Sequence, residues 1–200
     1  MKVFSSCIRS TFFSPRADSE EKSGLEKGVL NKKVESHYKK DKSSWEPMIC
    51  YSIALKVGVL DKTIKKETRD TINNMLKGGG YNQRYSDLME VNMSTTRRYF
   101  DTSLVKESGI INFIDDKNSR VVHTAYIKKN KDGSVEMFHA NNMSLDGALS
   151  LGRELSILGP TTHYDLSDNY VINSLNNWLI TSEHSFKFTS VSELNITTKI

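Results

Sequence analysis

Two cysteines, Cys7 and Cys50, are all that this chain of 200 residues carries. That excludes a disulfide scaffold, and a zinc site would have to rest on scattered histidines. No run approaches the ~18 consecutive apolar residues of a membrane-spanning helix. The early run Val3-Phe4-Ser5-Ser6-Cys7-Ile8 is cut short by Arg9, so it does not read as a Sec signal. Apolar residues are also scarce. At 37% of the chain they are few for a compact enzyme, which implies that part of the chain lies outside the fold. These absences describe a chain suited to a reducing compartment, or delivered to one by another route.

The charge distribution indicates which part lies outside. Residues 1–42 hold a net charge of +4, which is the net charge of the whole chain, so the remainder is neutral. The basic excess therefore gives no reason to expect a nucleic-acid groove on the folded part. Residues 1–42 are rich in Ser, Lys and Glu and nearly free of large apolar residues after Phe13, which predicts a flexible basic tail. Such a tail suits a Ser-rich export signal of the kind used by bacterial injection systems, a basic arm touching an acidic membrane surface, or a terminus with no role of its own.

The remaining residues, 43–200, read as one α+β domain. Ser43 or Ser44 can cap a helix with Pro47 in its first turn and Ile49, Ile53, Ala54 and Val57 at helical spacing. A second helix runs from Asp61 through Ile64, Thr68, Ile72 and Leu76 to Gly78-Gly79-Gly80, and a short one lies around Tyr85–Val91. The glycine triplet follows a helix and lacks a Gly-Lys-Ser/Thr ending, so it reads as a helix stop and hinge. Strands are expected over Gly109–Ile114, Arg120–Lys128 and Ser134–His139, the last two joined by Asn130-Lys131-Asp132-Gly133. Helices near Leu145–Leu158 and Ser167–Trp178 and a strand over Ser185–Val191 complete the pattern, and the last ten residues are expected to fray. Helices first and then an antiparallel sheet is α+β order.

Cys50 and His123 carry the most chemistry. At a helix start, unpaired N–H groups and the helix dipole favour a thiolate and can hold an oxyanion. A neutral histidine within reach would accept the thiol proton. Cys50 also fits the description of a small buried hydrophobe. On an alternating strand, Val122, Thr124 and Tyr126 face one way and Val121, His123, Ala125 and Ile127 the other, which places His123 on a buried face. The hairpin returns His139, Asn141 and Asn142 to its neighbourhood, where a polar side chain could orient the imidazole. His163-Tyr164-Asp165 and His184 lack HExxH spacing, so no metal and no cofactor is expected.

A cysteine opening a helix after a Trp-containing loop, then His-x-Ala in a strand, a hairpin and a polar residue after the next strand, resembles the papain-like cysteine peptidase superfamily. The style is that of the small proteases and deamidases that pathogenic bacteria inject into host cells. Cys50-Tyr51-Ser52-Ile53-Ala54-Leu55 resembles their nucleophile helix, His123-Thr124-Ala125 their base, and Met137-Phe138-His139-Ala140-Asn141 the segment carrying their orienter. The resemblance spans about residues 43–145. It implies a papain-like fold, N-terminal helices packed on an antiparallel sheet, with catalytic residues Cys50, His123 and Asn141, and His139 in reserve. Three positions depart from the pattern: His139 replaces the usual Asp, Tyr51 replaces a Trp, and no Gln or Asn precedes Cys50 to donate to an oxyanion. The implied activity is attack on a carboxamide of a protein substrate, as a protease or glutamine deamidase. The implied setting is a monomeric virulence effector, sent by a type III secretion route into the host cytoplasm. The alternative is a non-enzymatic effector or adaptor that binds a host protein through a degenerate papain-like fold, recognised by Cys50 and His123 lying too far apart to react or walled off from solvent.

Overall fold

The computed structural model describes residues 28–45, 49–76, 81–89, 95–149 and 161–197. It is α+β, and its centre is a five-stranded antiparallel sheet in the order β4-β3-β2-β1-β5. The strands are β1 (Gly109–Asp115), β2 (Arg120–Lys129), β3 (Val135–Ala140), β4 (Thr161–Asp165) and β5 (His184–Ser190). The β2–β3 hairpin closes at the expected place: Asn130 N–H donates to Ser134 O at 2.9 Å, and Gly133 takes φ +89°, open to glycine at no steric cost. Gly109 begins β1 where no side chain fits, because a Cβ there would lie 2.3 Å from the Thr189 carbonyl oxygen.

Helices cover both faces of the sheet, and each face has its own apolar cluster. The first face is covered by α1 (Val29–Lys40), α2 (Cys50–Leu60), α3 (Lys66–Met75), α4 (Tyr81–Leu88) and α7 (Val191–Thr197). Its core joins Leu30, Val34, Trp45, Ile53, Leu55, Ile72 and Leu194 to Ile110, Ile114, Val121, Tyr126 and Phe138 of the strands. The second face is covered by α5 (Met143–Leu149), α6 (Asn169–Thr181) and the segment around Phe100 and Val105. Its core joins Leu145, Leu175, Trp178 and Leu179 to Ile111, Phe113, Ala125, Ile127, Met137, Tyr164 and Phe186.

Residues 29–40, expected to belong to a flexible tail over 1–42, are helical instead. Residues 29–40 form α1, whose Leu30 and Val34, one turn apart, are 2% and 0% exposed. The segment is so polar that its composition hides a single inward stripe, and one stripe is enough when the rest of the core supplies the partner surface. Gly28, at φ +76°, donates its N–H to Glu136 Oε1 at 3.2 Å, tying the start of α1 to β3. The export-signal and membrane-arm readings of residues 1–42 lie outside the described residues over 1–27, as does the glycine hinge at 78–80.

Two other elements differ from expectation. Thr161–Asp165 is an edge strand, too short and polar to show a clear period. Residues 191–197, expected to fray with the last ten, form α7, which Ser190 and Glu193 cap reciprocally: Glu193 N–H donates to Ser190 Oγ at 3.2 Å, and Ser190 N–H to Glu193 Oε2 at 2.8 Å.

Candidate functional site

Cys50 is the first residue of α2 and is half-buried against the first face. Burial pushes its thiol pKa up, and this outweighs the lowering by the backbone and hydroxyl of Thr124 and by the N–H of Tyr51. The helix start does supply favourable amides, but the apolar surroundings win and the thiol keeps its proton. Around it stand Thr124, whose hydroxyl donates to Asn112 Oδ1 at 2.9 Å, and Tyr85, stacked on Tyr51 with ring centres 4.7 Å apart. Burial also raises the Tyr85 pKa. The cluster therefore holds cysteine, threonine, asparagine and tyrosine, all uncharged.

His123 is one residue away from Thr124 and on the opposite face of the sheet. Its ring stacks on Phe113, centres 6.2 Å apart and 12° between planes, and Phe113 belongs to the second core. Its Nε2 lies 3.1 Å from Nδ1 of His139. Neither the groups acting on the Cys50 thiol nor those acting on the His123 imidazole include the other residue. The pairing of Cys50 with His123 expected from the sequence is thus not assembled: a sheet lies between thiol and imidazole. The strand period of two explains it, since adjacent residues point to opposite faces and helices bury both. A β-bulge adds a second correction. Phe113 pairs with His123 but Ile114 pairs with Val121, leaving Val122 as the extra residue. Val121 therefore joins the first core, not the face of His123 and Ala125.

The structure does bring His123 and His139 together, with two partners that sequence reasoning missed. His139 Nε2 is 3.3 Å from Asp146 Oδ1 of α5, and the Tyr164 hydroxyl of β4 donates to the same oxygen at 2.9 Å. Asp146 Oδ2 accepts the Asn142 N–H at 2.9 Å, while Asn142 Oδ1 caps α5 by accepting the Leu145 N–H at 3.0 Å. An Asn cap followed by an acid in the first turn of a helix was the available signal for Asp146. Asn141, the expected orienter, is exposed and accepts from the Thr162 hydroxyl at 2.9 Å, with no bond to His123.

Proton positions in this network follow from its geometry. His139 Nδ1 lies 2.6 Å from the Ala140 carbonyl oxygen, which can only accept, so Nδ1 carries hydrogen. Its Nε2 faces the Asp146 carboxylate. Burial alone would raise the Asp146 pKa, but the bond and charge of His139, with Asn142 N–H and Tyr164 OH, bring it below the usual value. Burial, and then the charge of His139, depress His123 to about 3, so its ring is neutral. His123, His139 and Asp146 are 3%, 0% and 5% exposed, which suits a network that ties β2, β3, β4 and α5 together.

The other histidines are dispersed. His163 pairs with Glu136 at 2.7 Å on the first face, and His184 stacks on Trp178 at 4.9 Å on the second. No group of three or more metal-ligating side chains occurs among the described residues. No helix among them is long and apolar enough to cross a membrane.

The chain belongs to a family described as a domain of unknown function, DUF8038, which it matches over residues 26–198. That match begins just before α1 and ends just after α7, so the family unit is the two-faced α+β domain with α1 as part of it. No curated protein and no solved structure matches the chain.

Proposed function

We propose that this chain is a non-catalytic recognition module, an adaptor that acts by binding a target protein, rather than a cysteine-dependent acyl-transfer enzyme. The observation that carries this reading is the separation of Cys50 and His123 onto opposite faces of the sheet. A thiol hydrolase needs its base within hydrogen-bond reach of the thiol, or one water away. Here the thiol is held protonated by burial, and the histidine lies among aromatic rings with a second histidine and a buried carboxylate. In the setting implied by the resemblance to injected effectors, the target would be a host protein.

Alkylation of Cys50 by iodoacetamide, followed against pH in the wild type and in His123→Ala, tests this reading. Slow alkylation with no acceleration below pH ~8.5, the same in both proteins, is expected. A thiolate already reactive at pH ~6 and silenced by His123→Ala would overturn it.

A further inference from the structure

α1 has two unlike sides. Leu30 and Val34 point into the first core, whereas Val29, Lys32, Lys33, Ser36, Lys39 and Lys40 are all exposed. At the helical repeat these exposed positions fall within one arc of about 120°. They form a single outward stripe about 17 Å long. It carries four lysines and no acid, with Glu35 at its flank, bonded by the Asn31 amide at 3.2 Å.

The basic surface continues past both ends of the helix. At the first end, Val29 shares a recess of about 360 Å³ with Asp61, Thr63, Lys128, Lys129 and Lys131, and Lys62 lies exposed beside Asp61. Lys33 donates to the Leu60 carbonyl, tying the stripe to the end of α2. At the other end stands Lys42, its Nζ 5.8 Å from the centre of the Tyr38 ring. This edge of the molecule therefore gathers nine lysines against six carboxylates, Glu35, Asp41, Asp61, Asp132, Glu136 and Asp165. Seven of the nine lysines are exposed, but of the six acids only Asp41 and Asp132 are. The remaining charges of the described residues balance, so their whole excess of +3 sits here. Most of the basic excess of residues 1–42 is thus mounted on an ordered helix.

We propose that this edge docks on the anionic surface of a lipid bilayer. Its cations are all lysines, compact point charges without the planar fork by which arginine grips a single phosphate or carboxylate. The rings nearest the stripe, Tyr38 and Trp45, pack on each other and on the first core, so no platform is offered to a nucleic-acid base. An array of ammonium groups spread along a helix, with no site for one particular anion, suits a surface whose charge is itself spread out. Val29, 52% exposed at the head of the stripe, adds a small apolar contact.

The test is co-sedimentation of the whole chain with vesicles of phosphatidylcholine, alone or mixed with phosphatidylserine. Binding to the mixed vesicles only, weakening as salt rises, is expected. A lysine near such a surface is worth about fivefold in partition. Lys32→Gln, Lys39→Gln and Lys40→Gln together should therefore weaken binding about a hundredfold. Arg97→Gln, Arg98→Gln and Lys117→Gln remove the same charge beside the β1–β2 turn, and that variant should bind as the wild type does. Circular dichroism checks that α1 stays helical. Should the stripe variant lose it, Lys62→Gln with Lys131→Gln, off the helix, decides instead, with a loss of about thirtyfold expected. No binding to the mixed vesicles, equal binding to phosphatidylcholine alone, or an equal loss in the two triple variants would each overturn the assignment. Polyglutamate or duplex DNA bound in place of the vesicles would overturn it too, giving the edge to an acidic protein or a nucleic acid. A reactive Cys50–His123 pair would remove the adaptor reading and leave the vesicle result standing.

Discussion

The two faces of the sheet each bury a polar cluster, and the clusters are held in opposite ways. On the first face, Cys50, Thr124, Asn112 and Tyr85 are all neutral. Thr124 donates to Asn112, and Thr124 and Tyr51 bear on the thiol, with Asn112 Nδ2 left without a partner. On the second face, the Asp146 carboxylate is buried among His139, Tyr164, Asn142 and Thr162, and both of its oxygens have partners. Burial that outweighs the hydrogen bonds to it leaves a thiol protonated, whereas burial outweighed by its donors keeps a carboxylate charged. The groups that resemble a catalytic pair have thus been divided, the nucleophile type to one environment and the base type to the other.

Breaking the charged cluster should cost far more than breaking the neutral one. Asp146→Ala removes the carboxylate from its buried pairing with His139 and is expected to destabilise the fold by about 3–5 kcal/mol, measured by urea unfolding. Leu30→Ala on α1 should cost about 2–4 kcal/mol in the same assay, because the side chain is buried at the first-face core. A loss near zero would return residues 28–42 to the flexible tail. Thr124→Val, which removes the Asn112 bond but keeps the shape, should cost only about 1 kcal/mol. A Thr124 loss as large as that of Asp146→Ala would erase the contrast between the faces.

Much of the sheet was legible in the sequence. The hairpin declared itself through Asn130–Gly133, and β1 and β2 through their runs of Ile, Val and aromatic residues. The apolar spacing found the cysteine helix, but it begins at Cys50 after Ile49 and not at a Ser43 or Ser44 cap. What could not be read was which face of β2 meets which helix. Alternation shows that Thr124 and His123 point oppositely, but both sides of this sheet are covered, so burial of His123 carried no information about Cys50. The bulge at Val122 then reversed the face of Val121, and nothing local in Arg120-Val121-Val122-His123 marks it. Asp146 was readable as an acid behind an Asn142 cap. Its contact with His139 was not, because that contact depends on how α5 folds back across β3 and β4.

The measurement that tests the account most directly is the pH titration of the His123 imidazole by NMR, in the wild type and in Cys50→Ala. Folding depresses this group from 6.5 to about 3, so between those values the unfolded chain binds the extra proton and the folded one does not. Stability from this source is complete above pH 6.5 and declines as pH falls toward about 3, and the lowered Asp146 carboxyl adds to the loss at the acid end. The account predicts a His123 ring that stays neutral until the chain approaches acid unfolding, with a curve unchanged by Cys50→Ala. A His123 that is charged at neutral pH and loses that charge in Cys50→Ala would contradict it, since only a thiolate–imidazolium pair on one face of the sheet could behave so.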